Sequence, residues 1–173
     1  MAMKIIIYLL FLLPILILCL LIIAAPYLSS TGDIFTSNLI YFAFSVTCHQ
    51  LPERSFFLFD HKFAVCSRCT GIYFGALITT VIYPLFLKID NKRTPGKGPL
   101  ILTIIPIALD GGIQLITSYE STNAIRFLTG AIFGCVLPLY LLPVYNEIVY
   151  GFLEVYDNSH RSPMGSENKT VLQ

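Results

Sequence analysis

The chain has 173 residues, of which 55% are hydrophobic and 12% charged, with a formal net charge of +1. Soluble domains carry about 25% charged residues, so half that level, with a mean hydropathy of +0.75, places the chain among membrane proteins. It has no polybasic arm and no polar stretch long enough for a second core, so nucleic acid is not expected as a partner.

The first element is the uncharged run IIIYLLFLLPILILCLLIIAAPYL at residues 5–28, with Lys4 before it. About 20 apolar residues span a bilayer, and the run exceeds the roughly 7–15 residues of a cleavable signal's apolar region. Residues 1–30 therefore read as a retained signal-anchor helix. Residues 34–47, IFTSNLIYFAFSVT, are apolar but too short for a full span, and a half-buried external helix is expected there. Further spans are predicted at 70–88, 99–118 and 124–146. The loop KIDNKRTPGKG at 88–98 sets Lys88, Lys92, Arg93 and Lys97 against Asp90. Short loops rich in Lys and Arg stay in the cytoplasm.

These readings combine into an all-α fold, a polytopic membrane helix bundle with four transmembrane helices plus a half-buried external helix. The expected location is the cell membrane, multi-pass, with both termini cytoplasmic. Five spans with an external N-terminus is the alternative. The core occupies residues 31–156, and the polar stretch 157–173 is expected to be a disordered cytoplasmic tail. Gly71 and Gly75 are four apart, as are Gly130 and Gly134. That spacing lets helix backbones approach closely in lipid, and either pair offers a seam for a homo-oligomer.

Five cysteines exclude a complete internal disulfide framework. Cys19 and Cys135 lie in apolar runs and read as small hydrophobes. The other three fall in a polar island, TCHQLPERSFFLFDHKFAVCSRCTGIYFG, which the predicted topology places outside. Cys66-Ser-Arg-Cys69 is a C-x-x-C, and Cys48-His49 lies upstream of it. Thiolate and imidazole are the ligands that tetrahedral zinc prefers. The expected metal ligands are Cys48, Cys66, Cys69 and His49, with His61 as the runner-up. A set of three protein ligands would leave the fourth position to water, the catalytic arrangement. Arg54 and Arg68 flank the cysteines and favour thiolate.

Asp110 falls mid-span, where a charge must face the bundle interior and find a partner. Gln114 is one turn away on the same face, and Arg126 opens the last span. Two readings stand: a buried polar network that fixes helix register, or a polar cavity opening outward, with Asp110 and Gln114 as catalytic candidates. Arg54, Arg68 and Arg126 would bind an anionic group, since guanidinium holds phosphate in a bidentate fork.

The segments CHQLPERSF, VCSRCTGIYFG, LDGGIQ and RFLTGAIFG resemble the prokaryotic membrane-protein family DUF2085 over roughly residues 40–140. The resemblance implies that Cys48, His49, Gln50, Arg54, Ser55, Cys66, Arg68, Cys69, Gly71, Tyr73 and Gly75 form one signature. It favours His49 over His61, and it brings no activity with it.

Four functions remain in competition. The first is a zinc site that binds or acts on a membrane lipid or lipid-linked anionic substrate, in its enzymatic form as a zinc-dependent membrane hydrolase or transferase. The second is a thiol–disulfide oxidoreductase using Cys66 and Cys69. The third is a transporter lined by Asp110, Gln114 and Arg126, and the fourth a zinc-clipped structural protein.

Overall fold

The computed structural model describes residues 2–161. Its helices are α1 (Ala2–Thr31), α2 (Ile34–Ser45), α3 (Ser67–Phe86), α4 (Lys97–Ile116) and α5 (Asn123–Arg161). Among the described residues, α1, α3 and α5 are long and apolar enough to cross a membrane. The 12-residue α2 is apolar and short, about 18 Å long at 1.5 Å per residue.

α1 and α2 form a helical hairpin. Gly32, at φ +90°, makes the left-handed turn that ends α1. Asp33 then caps α2 by accepting from the Thr36 N–H at 3.1 Å. The returning helix is locked to α1 by Ser37, whose hydroxyl pairs with Ser29 Oγ at 2.6 Å and donates to the Ala25 carbonyl at 2.8 Å. Ile40 and Phe44 of α2 pack on Ile22 and Ala25 in the main core cluster.

Between α2 and α3 the chain makes a strap. A 3-10 turn at Pro52–Arg54 leads into a minimal antiparallel hairpin, β1 (Phe57–Leu58) and β2 (His61–Lys62). Phe59 and Asp60 at its tip both have positive φ, at 51° and 61°, the geometry of the mirror-image turns that suit strand twist. The hairpin is a small β addition to the expected all-α fold.

Prolines shape the packing. A proline has no N–H, so the carbonyl four residues earlier loses its helical partner. Pro26 frees Ile22 O, which accepts from the Ala64 N–H of the strap in a long 3.5 Å bond. Pro84 frees Thr80 O, which accepts from the Tyr8 hydroxyl of α1.

α3 and α5 run parallel in close contact. A methyl at Gly71 would strike the Phe127 carbonyl, and one at Gly75 the Ala131 carbonyl. A methyl at Gly130 would strike the Arg68 carbonyl, and one at Gly134 the Ile72 carbonyl. The two glycine pairs therefore face each other within one chain. At these positions the chain's own helices fill the faces that were expected to offer a homo-oligomer seam at Gly71/Gly75 or Gly130/Gly134.

The opposite end of the bundle is pinned by polar bonds. Lys4 pairs with Asp90 at 2.6 Å. The fully buried Asn146 donates to the Ile89 and Asn91 carbonyls, both at 2.9 Å. α5 continues through Arg161, past residue 157 where the tail was expected to begin. Residues 162–173 lie outside the described ones.

Candidate functional site

The end of α2 delivers the first cysteine. The helix closes at Ser45, and the Thr47 and Cys48 N–H groups both fold back onto the Phe44 carbonyl, at 3.1 and 3.0 Å. Gln50 adopts φ +53° and turns the chain sharply, its amide donating to the Tyr41 carbonyl at 2.6 Å. Lys62 from the hairpin donates to Gln50 O at 2.7 Å. Cys48 and His49 thus follow the helix end rather than sit within the helix.

The start of α3 delivers the other two. Cys66 is the N-cap of α3, and Cys69 lies in its first turn. Ala64 and Val65 before them are fully buried against α1 and α2, which fixes the approach. The Cys66 N–H donates to Cys48 Sγ at 3.2 Å, and the Cys66 and Cys69 sulfurs are 3.5 Å apart. All three sulfurs lie within 4.8 Å of one another. Hydrogen bonds from the Cys66 thiol, then the Cys69 thiol and the backbone N–H groups of Cys66 and Gln50, hold the Cys48 thiol well below its ordinary 9.0, against the opposing effect of burial.

Neither histidine belongs to this sulfur cluster among the described residues. His49 is exposed and lines the adjoining cavity. His61 is half-buried in β2, in register with Leu58. Cys19 and Cys135 take no part in the cluster.

Beside the thiols opens a cavity of about 360 Å³. Its lining brings together Cys66, Cys69, His49, Gln114 and all three arginines, Arg54, Arg68 and Arg126. Asp110 is outside that lining. Its carboxylate pairs with Arg68, the residue before Cys69, and accepts from Ser121 Oγ at 3.3 Å. Gln114 donates to Asp110 O at 2.8 Å and to Ser121 Oγ at 3.0 Å. Arg126 donates to Gln114 Oε1 at 3.1 Å and to Asn123 Oδ1 at 3.3 Å.

Arg126 is 5% exposed, and among the described residues its partners are neutral and no carboxylate lies within 4.0 Å. Arg68 Nε is buried without a hydrogen-bond partner. Three guanidinium groups thus meet one carboxylate around the cavity. Of the three, Arg54 is exposed, Arg68 is paired, and Arg126 is buried without a carboxylate; a buried cation left uncompensated is costly, and a bound anion would supply the missing charge and acceptors.

Ser121 escaped the sequence reading. It lies in the link YESTN, where a serine gives no periodic or spacing signal, yet it is 3% exposed and joins Asp110 to Gln114.

Residues 48–140 match the family described as "Predicted membrane protein (DUF2085)". The chain belongs to this family. The matched stretch of DUF2085 runs from the first cysteine of the cluster through the first half of α5, and so contains every residue of the thiol cluster and the arginine cavity. The chain is 45% identical over 148 residues to an uncharacterized protein of Methanocaldococcus jannaschii, covering 83% of this chain and 95% of that one. It is 42% identical over 87 residues to an uncharacterized protein of Methanothermobacter thermautotrophicus, covering 50% and 77%. No solved structure matches.

Proposed function

We propose that this DUF2085 protein binds zinc through Cys48, Cys66 and Cys69 and uses the adjoining arginine cavity to bind or act on an anionic, membrane-embedded substrate. The observation that carries the reading is the shared wall. Cys66 and Cys69 line the same cavity as Arg54, Arg68 and Arg126. Three thiolates fill three of zinc's four positions, and the fourth is left to His49, water or substrate. Zinc with an open position polarises an oxygen or lowers the pKa of bound water. This chain's own groups do the rest. Asp110 holds Arg68 in place, Gln114 holds Arg126, and the arginines neutralise the anion.

α4 is the fourth span in this reading. It has 20 residues, and Asp110 is satisfied by Arg68 and Ser121 inside the bundle, as a charge at that depth requires. The basic loop between α3 and α4 then lies in the cytoplasm. The Ile22 carbonyl marks the level of the cysteines on α1. It is about 27 Å from Lys4 along the helix, close to the outer edge of a hydrocarbon core about 30 Å thick. In this reading the site faces outside, within reach of lipid headgroups.

Two measurements test the reading. Elemental analysis of the purified protein should find about one zinc per chain, and none in Cys66→Ser. Inorganic phosphate should bind the parent in calorimetry and bind Arg126→Gln at least tenfold more weakly. Intact protein without metal removes the zinc site. The 3.5 Å separation of Cys66 and Cys69 supports a second reading, a thiol–disulfide site. In that case alkylation would be blocked by oxidant and not by zinc.

A further inference from the structure

A second cavity of about 570 Å³ lies between α1, α2 and α3. Its walls are mostly apolar, with Leu18 and Leu21 from α1, Leu39 and Ala43 from α2, and Tyr73 from α3. Both this groove and the arginine cavity fall in the range of about 300–1,000 Å³ that ligand sites occupy.

The two spaces share no lining residue and lie on either side of the cysteine segment. Thr47 lines the groove, Cys48 belongs to the thiol cluster, and His49 and Gln50 line the arginine cavity. Four consecutive residues therefore lead from an apolar space to a cationic one. α3 repeats the step. Cys69 lines the arginine cavity, and Tyr73, one turn on along the same face, lines the groove. The groove's walls include two of the helices long enough to cross a membrane, and Leu39 at its rim is 59% exposed. An occupant that enters from the lipid side would be hydrocarbon.

We propose that the two spaces form one bipartite site for a single-headed lipid phosphate. Its phosphate lies among Arg54, Arg68 and Arg126, and its alkyl or isoprenoid chain lies in the groove between α1 and α2. This rests on the anion reading above and adds the tail. Neither space alone suits the whole molecule. The groove has no charge to hold a phosphate, and the arginine cavity would leave a long chain among three guanidinium groups.

The test uses full-length protein in phosphatidylcholine nanodiscs with three titrants, hexadecyl phosphate, hexadecanol and inorganic phosphate, read by native mass spectrometry. Hexadecyl phosphate should bind once per chain and at least tenfold tighter than either of the others. Ala43→Phe, which fills the groove, should weaken hexadecyl phosphate at least tenfold, keep its zinc, and leave inorganic phosphate binding unchanged.

A second measurement avoids reliance on that variant folding. The chain has no tryptophan, so Leu39→Trp provides a single tryptophan at the groove, read by selective excitation. A chain-brominated alkyl phosphate should quench it saturably, whereas the brominated alcohol should not. Equal hexadecyl phosphate affinity in parent and Ala43→Phe, or absence of quenching, overturns the bipartite site while the arginine site stands. A dimer that dissociates in Ala43→Phe with lipid phosphate binding unchanged overturns it too, and gives the groove to a second copy. Failure of both phosphates to bind overturns the anion reading itself.

Discussion

Arg68 in the first turn of α3 forms an ion pair with Asp110 in α4, joining the turn that carries Cys69 to the helix that carries Gln114. The pair sets the position of a cavity arginine from behind. Asp110 is 8% exposed, whereas the Arg68 side chain keeps 27% of its surface. Breaking such a pair by removing one partner costs about 3 kcal/mol when it is buried. Asp110→Asn should therefore lower the unfolding temperature in detergent. It should also tighten inorganic phosphate binding, because Arg68 loses its internal counter-charge. A variant that unfolds earlier and binds phosphate more weakly would assign Asp110 to the anion site directly.

The histidine question has a direct measurement. The cluster is built from three sulfurs, with His49 exposed at the cavity. Cys48→Ser, Cys66→Ser and Cys69→Ser should each abolish zinc. His49→Ala should retain one zinc per chain, with less than tenfold loss in a chelator competition. Loss of metal in His49→Ala would make the histidine the fourth ligand and the site a closed structural clip.

The α3–α5 seam allows a graded test. Small residues let backbones meet where lipid offers no hydrophobic drive. Gly130→Ala places a methyl on the Arg68 carbonyl, a backbone atom that cannot swing aside. It should cost more stability than Gly151→Ala, where nothing lies within 4 Å. Gly151→Ala should be neutral or raise the unfolding temperature slightly, since alanine is the better helix former.

Topology is open to labelling. Thr94→Cys in the basic loop should add a membrane-impermeant maleimide label to those taken up by the native cysteines only after permeabilisation. Thr122→Cys in the α4–α5 link should add its label in intact cells. Labelling of both from the same side would remove α4 as a span.

The opposite end has a pH signature. The hydrogen bond from Lys4 holds the Asp90 carboxyl below its ordinary 3.8. A depressed carboxylate contributes stability that is present above the ordinary value and lost as pH falls through the depressed one. The small stability gap between the parent and Asp90→Asn should therefore hold at neutral pH and close below about pH 3.8. Both side chains are solvated, so raised salt should close it as well.

Much of this was legible in the sequence. The apolar runs marked every helix, and the polar island held the cysteines that meet. Arg54 and Arg68 flank the cysteines in the sequence, and Arg126 opens the last apolar run. Pairings between helices were harder to read. Asp110 could be seen to need a partner, but the choice of Arg68 over Arg126 depends on helix rotation, which hydropathy does not encode. The glycine spacings announced close packing without saying that the two pairs would face each other. The hairpin strands are two residues each, too short for an alternating pattern. Phe59 at its tip carries none of the usual preference for positive φ.

The prolines of α1 and α3 have a consequence for how the protein is made. A helix entering lipid normally arrives with its backbone complete. Here α1 arrives with the Ile22 carbonyl open until the strap supplies the Ala64 N–H, and α3 arrives with Thr80 open until it meets Tyr8. Neither helix is finished on its own. Insertion and assembly are therefore coupled, and the cysteines are drawn together by the same event that completes the helix behind them.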